Sequence, residues 1–145
     1  LSEQLNTLLG KSARVINDAD MLALGVVRGK GLEMLITLGT GFGTAFLKDG
    51  ILLPHLELAH HPITKHKSYD DYIGASAFES AGKKKWNKHL KKILFILKTV
   101  FNYDALYIGG GNADKINFRL DKNIKVVTNK DGIDGGAKLW QQDKK

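Results

Sequence analysis

The stretch Glu33–Leu53, EMLITLGTGFGTAFLKDGILL, says most about the fold of this chain. Its apolar runs predict a buried strand at Glu33–Leu38, a second strand at Phe42–Leu47 and a third at Ile51–Leu53. The turn residues Lys48–Gly50 separate the last two strands. These three strands are expected to pair as an antiparallel meander.

Helices and strands alternate in the rest of the chain. Helical spacing and capping residues predict helices at Leu1–Leu9, Ala19–Val27, Asp70–Ala81, Trp86–Phe101 and Gly132–Gln142. Short β-branched or apolar runs predict further strands at Ala13–Ile16, Ala105–Ile108 and Ile124–Thr128. A meander followed by this alternation indicates one α/β unit, with a mixed sheet flanked by helices.

The composition excludes several classes of protein. Of the 145 residues, 43% are hydrophobic and two are proline, which argues against a disordered or fibrous chain. There is no cysteine, so disulfides and cysteine-ligated zinc are excluded. No apolar run approaches the roughly 18 residues of a membrane helix, and no signal peptide is visible. A cytoplasmic protein without a membrane partner is therefore expected.

The net charge of +7 comes from one segment. Lys83–Val100 holds seven lysines and no acidic residue, and the remaining 15 basic residues balance the 15 acidic ones. Trp86, Leu90 and Leu97 recur at helical spacing, which predicts one buried face and a solvated lysine face. A single cationic helix disfavours nucleic acid as a general partner and leaves a polyanion-binding module as one hypothesis.

Two glycine clusters follow predicted strands. In Thr37–Gly43, TLGTGFG, alternate glycines let backbone N–H groups approach phosphate oxygens. A dinucleotide fingerprint would lead into a helix, whereas this loop leads into a strand, so that interpretation is poor. In Tyr107–Asn112, YIGGGN, three glycines open the carboxyl end of a strand, where ligands of α/β proteins bind. Either cluster alone is compatible with a plain turn; together they favour a phosphate or nucleotide site.

The segment Asn17–Asp20, NDAD, has two interpretations. Asn or Asp at this position caps the helix that follows. A carboxylate here is also a candidate general base for a hydroxyl nucleophile. Asp18 and Asp20 are two residues apart and point in different directions, so at most one of them faces a given site.

Glu57 and His60 are three residues apart and suit the recognition of vicinal hydroxyls. A metal site that also recruits His61 and His66 is disfavoured, because no cysteine or second acidic ligand stands at helical spacing. A serine-based triad is disfavoured as well, because the chain has no Gly-x-Ser-x-Gly elbow.

Taken in order, five motifs resemble those of the ROK family of sugar kinases and regulators, in particular its polyphosphate-glucokinase-like branch. They are NDAD at 17–20, LGTGFGTAF at 38–46, ELAH at 57–60, YIGGGN at 107–112 and NKDGIDGGA at 129–137. The resemblance implies the actin-like, ribonuclease-H-like ATPase fold, with the sugar and the phosphoryl donor held between two lobes. It also implies phosphoryl transfer with Mg²⁺, from ATP or polyphosphate to a hexose hydroxyl.

The resemblance further implies roles for single residues. Asp18 matches the general base and Asn17 a sugar ligand, and Glu57 and His60 match a sugar-binding Glu-x-Gly-His motif. The segment 129–137 resembles the one that closes the nucleotide pocket. The residues that match the family's phosphate and nucleotide loops are Gly39, Thr40, Gly41, Gly43, Gly109, Gly110 and Gly111.

Three departures from the family pattern bear on these roles. Ala59 stands in place of the motif's glycine, which could crowd the turn. The cysteine-rich zinc loop of many members is absent, as it is in the polyphosphate branch, so no structural zinc is expected. A third sugar-binding carboxylate has no clear match, and Asp70, Asp71 and Glu79 are the candidates.

The family's first phosphate loop, Asp-x-Gly-Gly-Thr, has no counterpart in residues 1–145. These residues are therefore expected to form a single C-terminal lobe of a ROK-type kinase, without the N-terminal lobe, and to be inactive alone. The alternative within the family is the sugar-sensing portion of a transcription regulator. The sequence does not decide the hexose, the donor or whether the protein is a homodimer.

Within this family the lysine-rich helix gains a candidate ligand. A plain solvated face remains the simplest interpretation of its charge. The sharper hypothesis is that Lys84, Lys88 and Lys91 form a track for a polyphosphate chain.

Overall fold

The computed structural model describes residues 1–142. In chain order its strands are β1 (Leu32–Leu38), β2 (Phe42–Lys48), β3 (Ile51–Leu52), β4 (Pro62–Thr64), β5 (Lys67–Ser68), β6 (Ala105–Gly109) and β7 (Ile124–Val126). Its α-helices are α1 (Ser2–Leu9), α2 (Asp18–Val26), α3 (Tyr69–Ile73), α4 (Ala75–Phe101) and α5 (Gly135–Leu139). Short 3-10 turns lie at Leu58–His60, Ala113–Lys115 and Asn129–Gly132.

The main sheet has the strand order β3-β2-β1-β6-β7. β1 pairs antiparallel with β2, and β2 antiparallel with β3, which confirms the predicted meander. β6 lies parallel to β1, and β7 lies parallel to β6. Because β1, β6 and β7 run in one direction, their carboxyl ends and the loops that follow them meet at one edge of the sheet.

Helices cover both faces of this sheet. Met34, Ile36 and Leu38 of β1 pack in an apolar cluster with α4, and Leu35 packs on the opposite face in a cluster with α2. A central strand that is buried on both sides needs a nearly continuous apolar sequence, which β1 has. The predicted mixed sheet flanked by helices is confirmed.

The predicted helix Asp70–Ala81 is interrupted. α3 ends at Ile73, and α4 begins at Ala75 after Gly74 adopts an extended conformation (φ −61°, ψ 176°). α4 bends again at Gly82, whose φ of 76° lies in the region that favours glycine. Beyond this bend, helical spacing holds through the lysine-rich segment. Trp86, Leu90, Ile93 and Leu97 are each 0% exposed, which confirms the predicted amphipathic helix.

The predicted strand Ala13–Ile16 is wrong, because this segment has no regular secondary structure. Its polar partners lie outside the sheet: the Ala13 N–H donates to the side chain of Asn6, and the Arg14 guanidinium donates to the Leu139 carbonyl at 3.0 Å. The guanidinium also stacks over the Trp140 ring at 4.4 Å. The segment is therefore held by α1 and the C-terminal end of the described chain.

The predicted C-terminal helix Gly132–Gln142 is shorter than expected. A 3-10 turn at Asn129–Gly132 precedes it, and the α-helix itself spans only Gly135–Leu139. Within residues 1–142, no helix combines the length and apolarity needed to cross a bilayer.

Candidate active site

A cleft of about 690 Å³ opens at the carboxyl edge of the sheet. The loops after β1 and β6, the first turn of α2 and the 3-10 turn at Leu58–His60 form its walls. The sequence-predicted residues that line it are Asp18, Gly39, Thr40, Gly41, Gly43, Glu57, His60, Gly110 and Gly111. Residues from four separate motifs thus meet in one cavity, while Asn17 and Gly109 do not line it.

Asp18 is the first residue of α2, and its carboxylate is exposed to the cleft. The Ala19 N–H donates to Asp18 Oδ1 at 2.8 Å and to Asn17 Oδ1 at 2.9 Å. Asn17 is therefore the helix cap, as one of its two interpretations predicts. A carboxylate is favoured at this position because it faces the positive end of the helix dipole.

The loop after β1 keeps two backbone donors free. Three N–H groups at this loop have partners: that of Gly39 donates to the Gly41 carbonyl at 3.2 Å, that of Phe42 to Asp70 Oδ1 on α3 at 2.7 Å, and that of Gly43 to Thr37 Oγ1 at 3.1 Å. Among the described residues, the N–H groups of Thr40 and Gly41 have no partner. Adjacent free amides of this kind suit an anionic oxygen.

The two glycine loops contact each other directly. The Asn112 N–H donates to the Leu38 carbonyl at 2.8 Å, and the Asn112 side-chain amide donates to the Gly39 carbonyl at 3.4 Å. Gly110 makes this approach possible: its φ is 91°, and a Cβ there would lie 2.5 Å from the Leu38 carbonyl oxygen. The loops therefore form one continuous wall of the cleft.

Gly109 was predicted to belong to the nucleotide-binding loop, but it does not line the cleft. It is buried in β6, and a Cβ at this position would lie 2.7 Å from Cδ2 of Leu22 on α2. Its small size lets α2 pack closely against the sheet, which supports the cleft from behind.

Glu57 directly precedes the 3-10 turn, His60 is its last residue, and both line the cleft. Between them Ala59 is 9% exposed and contributes to the core around α4. Its φ is not positive, so this turn does not need the glycine that the family motif has. The concern that Ala59 crowds the turn is not supported.

The three candidates for a further carboxylate are in different surroundings. Asp70 lines the cleft and accepts the Phe42 N–H, so it also fixes the loop after β1. Asp71 forms a capping box with Ser68 at the start of α3, and hydrogen bonds from Ser68 lower the pKa of its carboxyl group. Glu79 is exposed on α4. Of the three candidates for a further sugar-binding carboxylate, only Asp70 lines the cleft.

A hydrogen-bonded group beside the cleft was not predicted from the sequence. His55 Nδ1 lies 3.1 Å from Asp20 Oδ2, and His55 Nε2 lies 2.8 Å from Glu57 Oε1. Asp20 is 4% exposed, so it faces the interior while Asp18 faces the cleft, as their spacing predicts. Asp20 and His55 are 35 residues apart in the chain, and no local spacing pattern could have paired them.

The segment 129–137 closes the cleft from the side of α2. Asn129, Gly132 and Ile133 are among the lining residues. The approach to α2 is close, since a Cβ at Gly132 would lie 2.6 Å from Leu22 Cδ1. Residues of this segment therefore line the cleft, and its role in closing a nucleotide pocket stays a prediction.

Lys84, Lys88 and Lys91 lie together in a second groove of about 590 Å³ along α4. Asn87 and Asn117 also line it, and the Lys91 ammonium lies 4.8 Å from the centre of the Phe118 ring. All three lysines are exposed. The positive charge of the helix is therefore concentrated along this groove.

Lys115 lies between this groove and the cleft. Its ammonium donates to Asn112 Oδ1 at 2.8 Å, and its carbonyl accepts from the Asn87 side chain at 3.1 Å. The ammonium also lies 4.2 Å from the centre of the Phe78 ring. A cation thus stands beside the wall that the two glycine loops form.

The residues themselves do not build a metal site. Within residues 1–142, no group of three or more His, Asp or Glu side chains is arranged to hold a metal ion. Mg²⁺ characteristically binds one or two carboxylates together with substrate phosphates. The cleft therefore fits a magnesium ion only as part of a phosphorylated ligand.

Comparison with known proteins places this cleft in context. No family model matches the chain. A polyphosphate glucokinase from Mycobacterium tuberculosis (strain CDC 1551 / Oshkosh) is 30% identical over 129 residues, which are 83% of this chain and 47% of that protein. The chain thus spans about half the length of the curated relatives it matches.

Two solved structures share the fold. The inorganic polyphosphate/ATP-glucomannokinase from Arthrobacter sp. strain KM superposes with a TM-score of 0.81 and 32% identity, over 98% of this chain and 62% of that one. A ROK family glucokinase from Streptomyces griseus, solved with glucose and AMPPNP, gives a TM-score of 0.73 at 17% identity, over 96% of this chain and 71% of that one. The expected actin-like, ribonuclease-H-like α/β fold is confirmed.

Proposed function

Because the chain is 30% identical to a polyphosphate glucokinase and shares the fold of a ROK family glucokinase, we propose that it belongs to the ROK family and forms the lobe of a hexose kinase that binds the sugar and the phosphoryl donor. One observation carries this proposal: Asp18, Glu57, His60 and both glycine loops line the same cleft. A carboxylate base, sugar ligands and phosphate-binding amides are the groups that phosphoryl transfer to a hydroxyl needs.

In the proposed reaction, a hexose hydroxyl attacks the terminal phosphorus of the donor. Asp18 takes the hydroxyl proton as the new O–P bond forms. The bond between the terminal phosphorus and the oxygen that bridges it to the next phosphate breaks, and that oxygen leaves with the rest of the donor. The products are a hexose phosphate and either ADP or a polyphosphate shortened by one unit. A pure sugar sensor does not need a carboxylate at the position of Asp18, which favours a kinase over a regulator.

The protein contributes mainly position and charge. Glu57 and His60 hold the sugar hydroxyls, with Asp70 as the third carboxylate. Asn17 caps α2 beside Asp18 and does not line the cleft, so we assign it no contact with the sugar. The free N–H groups of Thr40 and Gly41 bind the terminal phosphate, with Gly43 beside them. Gly110 and Gly111 form the floor under the donor, and Gly109 supports it. A Mg²⁺ ion would be held by the phosphates of the donor, since residues 1–142 contain no ligand cluster for it, and it would supply neutralisation of phosphate charge.

For a polyphosphate donor, we assign the chain beyond the reacting phosphate to the α4 groove. Lys84, Lys88 and Lys91 line that groove, and Lys115 stands between it and the cleft. A row of ammonium groups attracts the further phosphates of a polyphosphate chain. ATP has a nucleoside in place of such further phosphates, so the groove would not contribute to its binding.

The proposed activity needs a second lobe that carries the first phosphate loop. Residues 1–145 by themselves are then expected to show no hexose-dependent consumption of ATP or polyphosphate, and turnover by the purified 145-residue chain would contradict this part of the proposal. A cytoplasmic location and a homodimer stay predictions.

Hexose binding tests the sugar site directly. Glu57→Gln removes the charge of a proposed ligand, and it should weaken glucose binding by about tenfold or more, since a hydrogen bond to a charged group is worth about 1.5–3 kcal/mol. Isothermal titration calorimetry on the full-length protein measures this. Glu79→Gln is the matched control, because Glu79 is exposed on α4. Equal glucose affinities for the two variants would exclude Glu57 from the site.

A further inference from the structure

Asp20, His55 and Glu57 form a hydrogen-bonded row that leads from the interior to the cleft. The two bonds measure 3.1 Å from Asp20 Oδ2 to His55 Nδ1, and 2.8 Å from His55 Nε2 to Glu57 Oε1. The side chains become more exposed along the row, from 6% for Asp20 to 28% for His55 and 60% for Glu57. Only Glu57, the last member, lines the cleft.

The chemistry of the row fixes the protonation of its middle member. Both nitrogens of His55 face carboxylate oxygens, which only accept hydrogen bonds when ionised. An imidazole donates from both nitrogens only as the imidazolium, so with Asp20 and Glu57 both ionised the complete row needs a protonated His55. A neutral His55 keeps one of the two bonds and releases the other carboxylate.

Asp20 has little other support. Its Oδ1 atom is buried and has no hydrogen-bond partner among the described residues. Burial, with the nearby charges of Asp18 and Glu57, raises the pKa of the Asp20 carboxyl above its ordinary value, and the hydrogen bond and charge of His55 offset only part of this rise. The imidazolium is thus the partner that makes a charge at this buried position tolerable.

Glu57 needs an anchor because its segment has no regular structure between β3 and the 3-10 turn. One anchor is the hydroxyl of Thr44, which donates to the Leu56 carbonyl at 2.7 Å and fixes the backbone. The Glu57 side chain is mostly exposed, and its hydrogen bond to His55 is what restricts its rotation.

We propose that Asp20 and His55 are positioning residues that hold Glu57 in the orientation required for binding a hexose. The inference rests on the proposed sugar site and adds two residues to it that do not touch the sugar. It also connects α2, which carries Asp18, with the segment that carries Glu57, so that base and sugar ligand are held to the same helix.

The inference has a pH dependence with a definite sign. The charged groups that act on the row are Asp18 and Asp20 from α2 and Glu57 from the opposite segment. Burial lowers the pKa of His55, but the bonds and charges of Glu57 and Asp20 outweigh it, so that the pKa is raised above its ordinary value. The row is complete below this raised pKa and is lost as the pH rises through it, so the hexose KM should increase there.

Steady-state kinetics of the full-length enzyme at saturating donor test the inference. His55→Gln should raise the hexose KM about tenfold, the equivalent of about 1.4 kcal/mol, with kcat changed less than about twofold. His66→Gln is the matched control, because His66 is exposed in the turn between β4 and β5, and it should leave both constants unchanged. A hexose KM that His55→Gln does not move would overturn the inference.

Asp20→Asn gives a second readout that a merely structural role would not move. It preserves shape and removes the charge, so the pKa of His55 should fall and the rise of hexose KM should shift to lower pH. NMR titration of the His55 ring nitrogens in the hexose-free protein follows the same pKa without catalysis. A His55 pKa that stays in place in Asp20→Asn would overturn the inference.

The failure of the inference differs from the failure of the proposed function. Normal hexose phosphorylation combined with an unmoved KM in both variants would overturn the positioning role alone. An unsubstituted full-length enzyme that phosphorylates no hexose would overturn the proposed function and the inference with it.

Discussion

Gly110 is the single residue on which the wall of the cleft depends most. Its φ of 91° is unfavourable for any side chain, and a Cβ there would lie 2.5 Å from the Leu38 carbonyl oxygen. The next residue, Gly111, has open space around it and no positive φ. A methyl group would therefore clash with the backbone at Gly110 but not at its neighbour Gly111.

Gly110→Ala should lower the free energy of unfolding by about 1–3 kcal/mol, the usual cost of a strained backbone position. Gly111→Ala should change it by less than about 0.5 kcal/mol, as an unhindered surface substitution does. Urea denaturation of both variants measures the difference. Equal destabilisation by the two substitutions would show that the contact between the glycine loops is not as tight as described.

Some features of single residues at the site could be predicted from the sequence, and others could not. The capping role of Asn17 and the opposite directions of Asp18 and Asp20 follow from local chemistry and were predicted. The pairing of Asp20 with His55 arises only because the sheet brings distant segments together. Asp70 could be separated from Asp71 only in the structure, where Asp70 lines the cleft and Asp71 caps the start of α3 together with Ser68.

Among the elements, α4 combines a structural face with a charged one. Its buried face contributes Trp86, Leu90, Ile93 and Leu97 to the core, so the helix would be needed even without its lysines. A solvent-exposed helix face with charges of both signs would be compatible with a stable fold as well as one that carries only lysines. The grouping of lysines along a groove is therefore the feature that points to an anionic ligand.

Reversing the charge of Lys84, Lys88 and Lys91 to Glu should raise the KM for polyphosphate and leave the KM for ATP nearly unchanged. The effect should shrink at high salt, because polyanion binding by surface lysines is electrostatic. A triple variant at the exposed residues Lys11, Lys65 and Lys122 makes the same change in net charge away from the groove. If both triple variants behave alike, or the two KM values move together, the groove is not a polyphosphate track.

At the level of elements, prediction succeeded where long-range packing agrees with local pattern. The meander, β6 and the long amphipathic helix were found because their apolar spacing is decisive. The strand Ala13–Ile16 was wrong because a short β-branched run has no preference strong enough to override the tie of Arg14 to the Leu139 carbonyl. The break at Gly74 was missed because apolar spacing continues across it.

Across the whole molecule, topology creates the site. Because β1 and β6 are parallel neighbours, two loops that are far apart in the chain end at the same edge and bond to each other. α2 then delivers Asp18 to that edge, and the turn after β3 delivers Glu57 and His60. The motifs in the sequence predicted most of the residues that line the cleft, but not the absence of Asn17 and Gly109 from it, and the structure supplied the arrangement.

The proposed function depends above all on Asp18 acting as the base in phosphoryl transfer to a hexose. The rate of hexose phosphate formation by full-length Asp18→Asn, at saturating hexose and donor, tests it most directly. The control is Asp49→Asn, at an exposed residue in the β2–β3 turn at the opposite end of the sheet. We expect kcat to fall at least about 100-fold with hexose affinity nearly unchanged. Full activity in Asp18→Asn would contradict it.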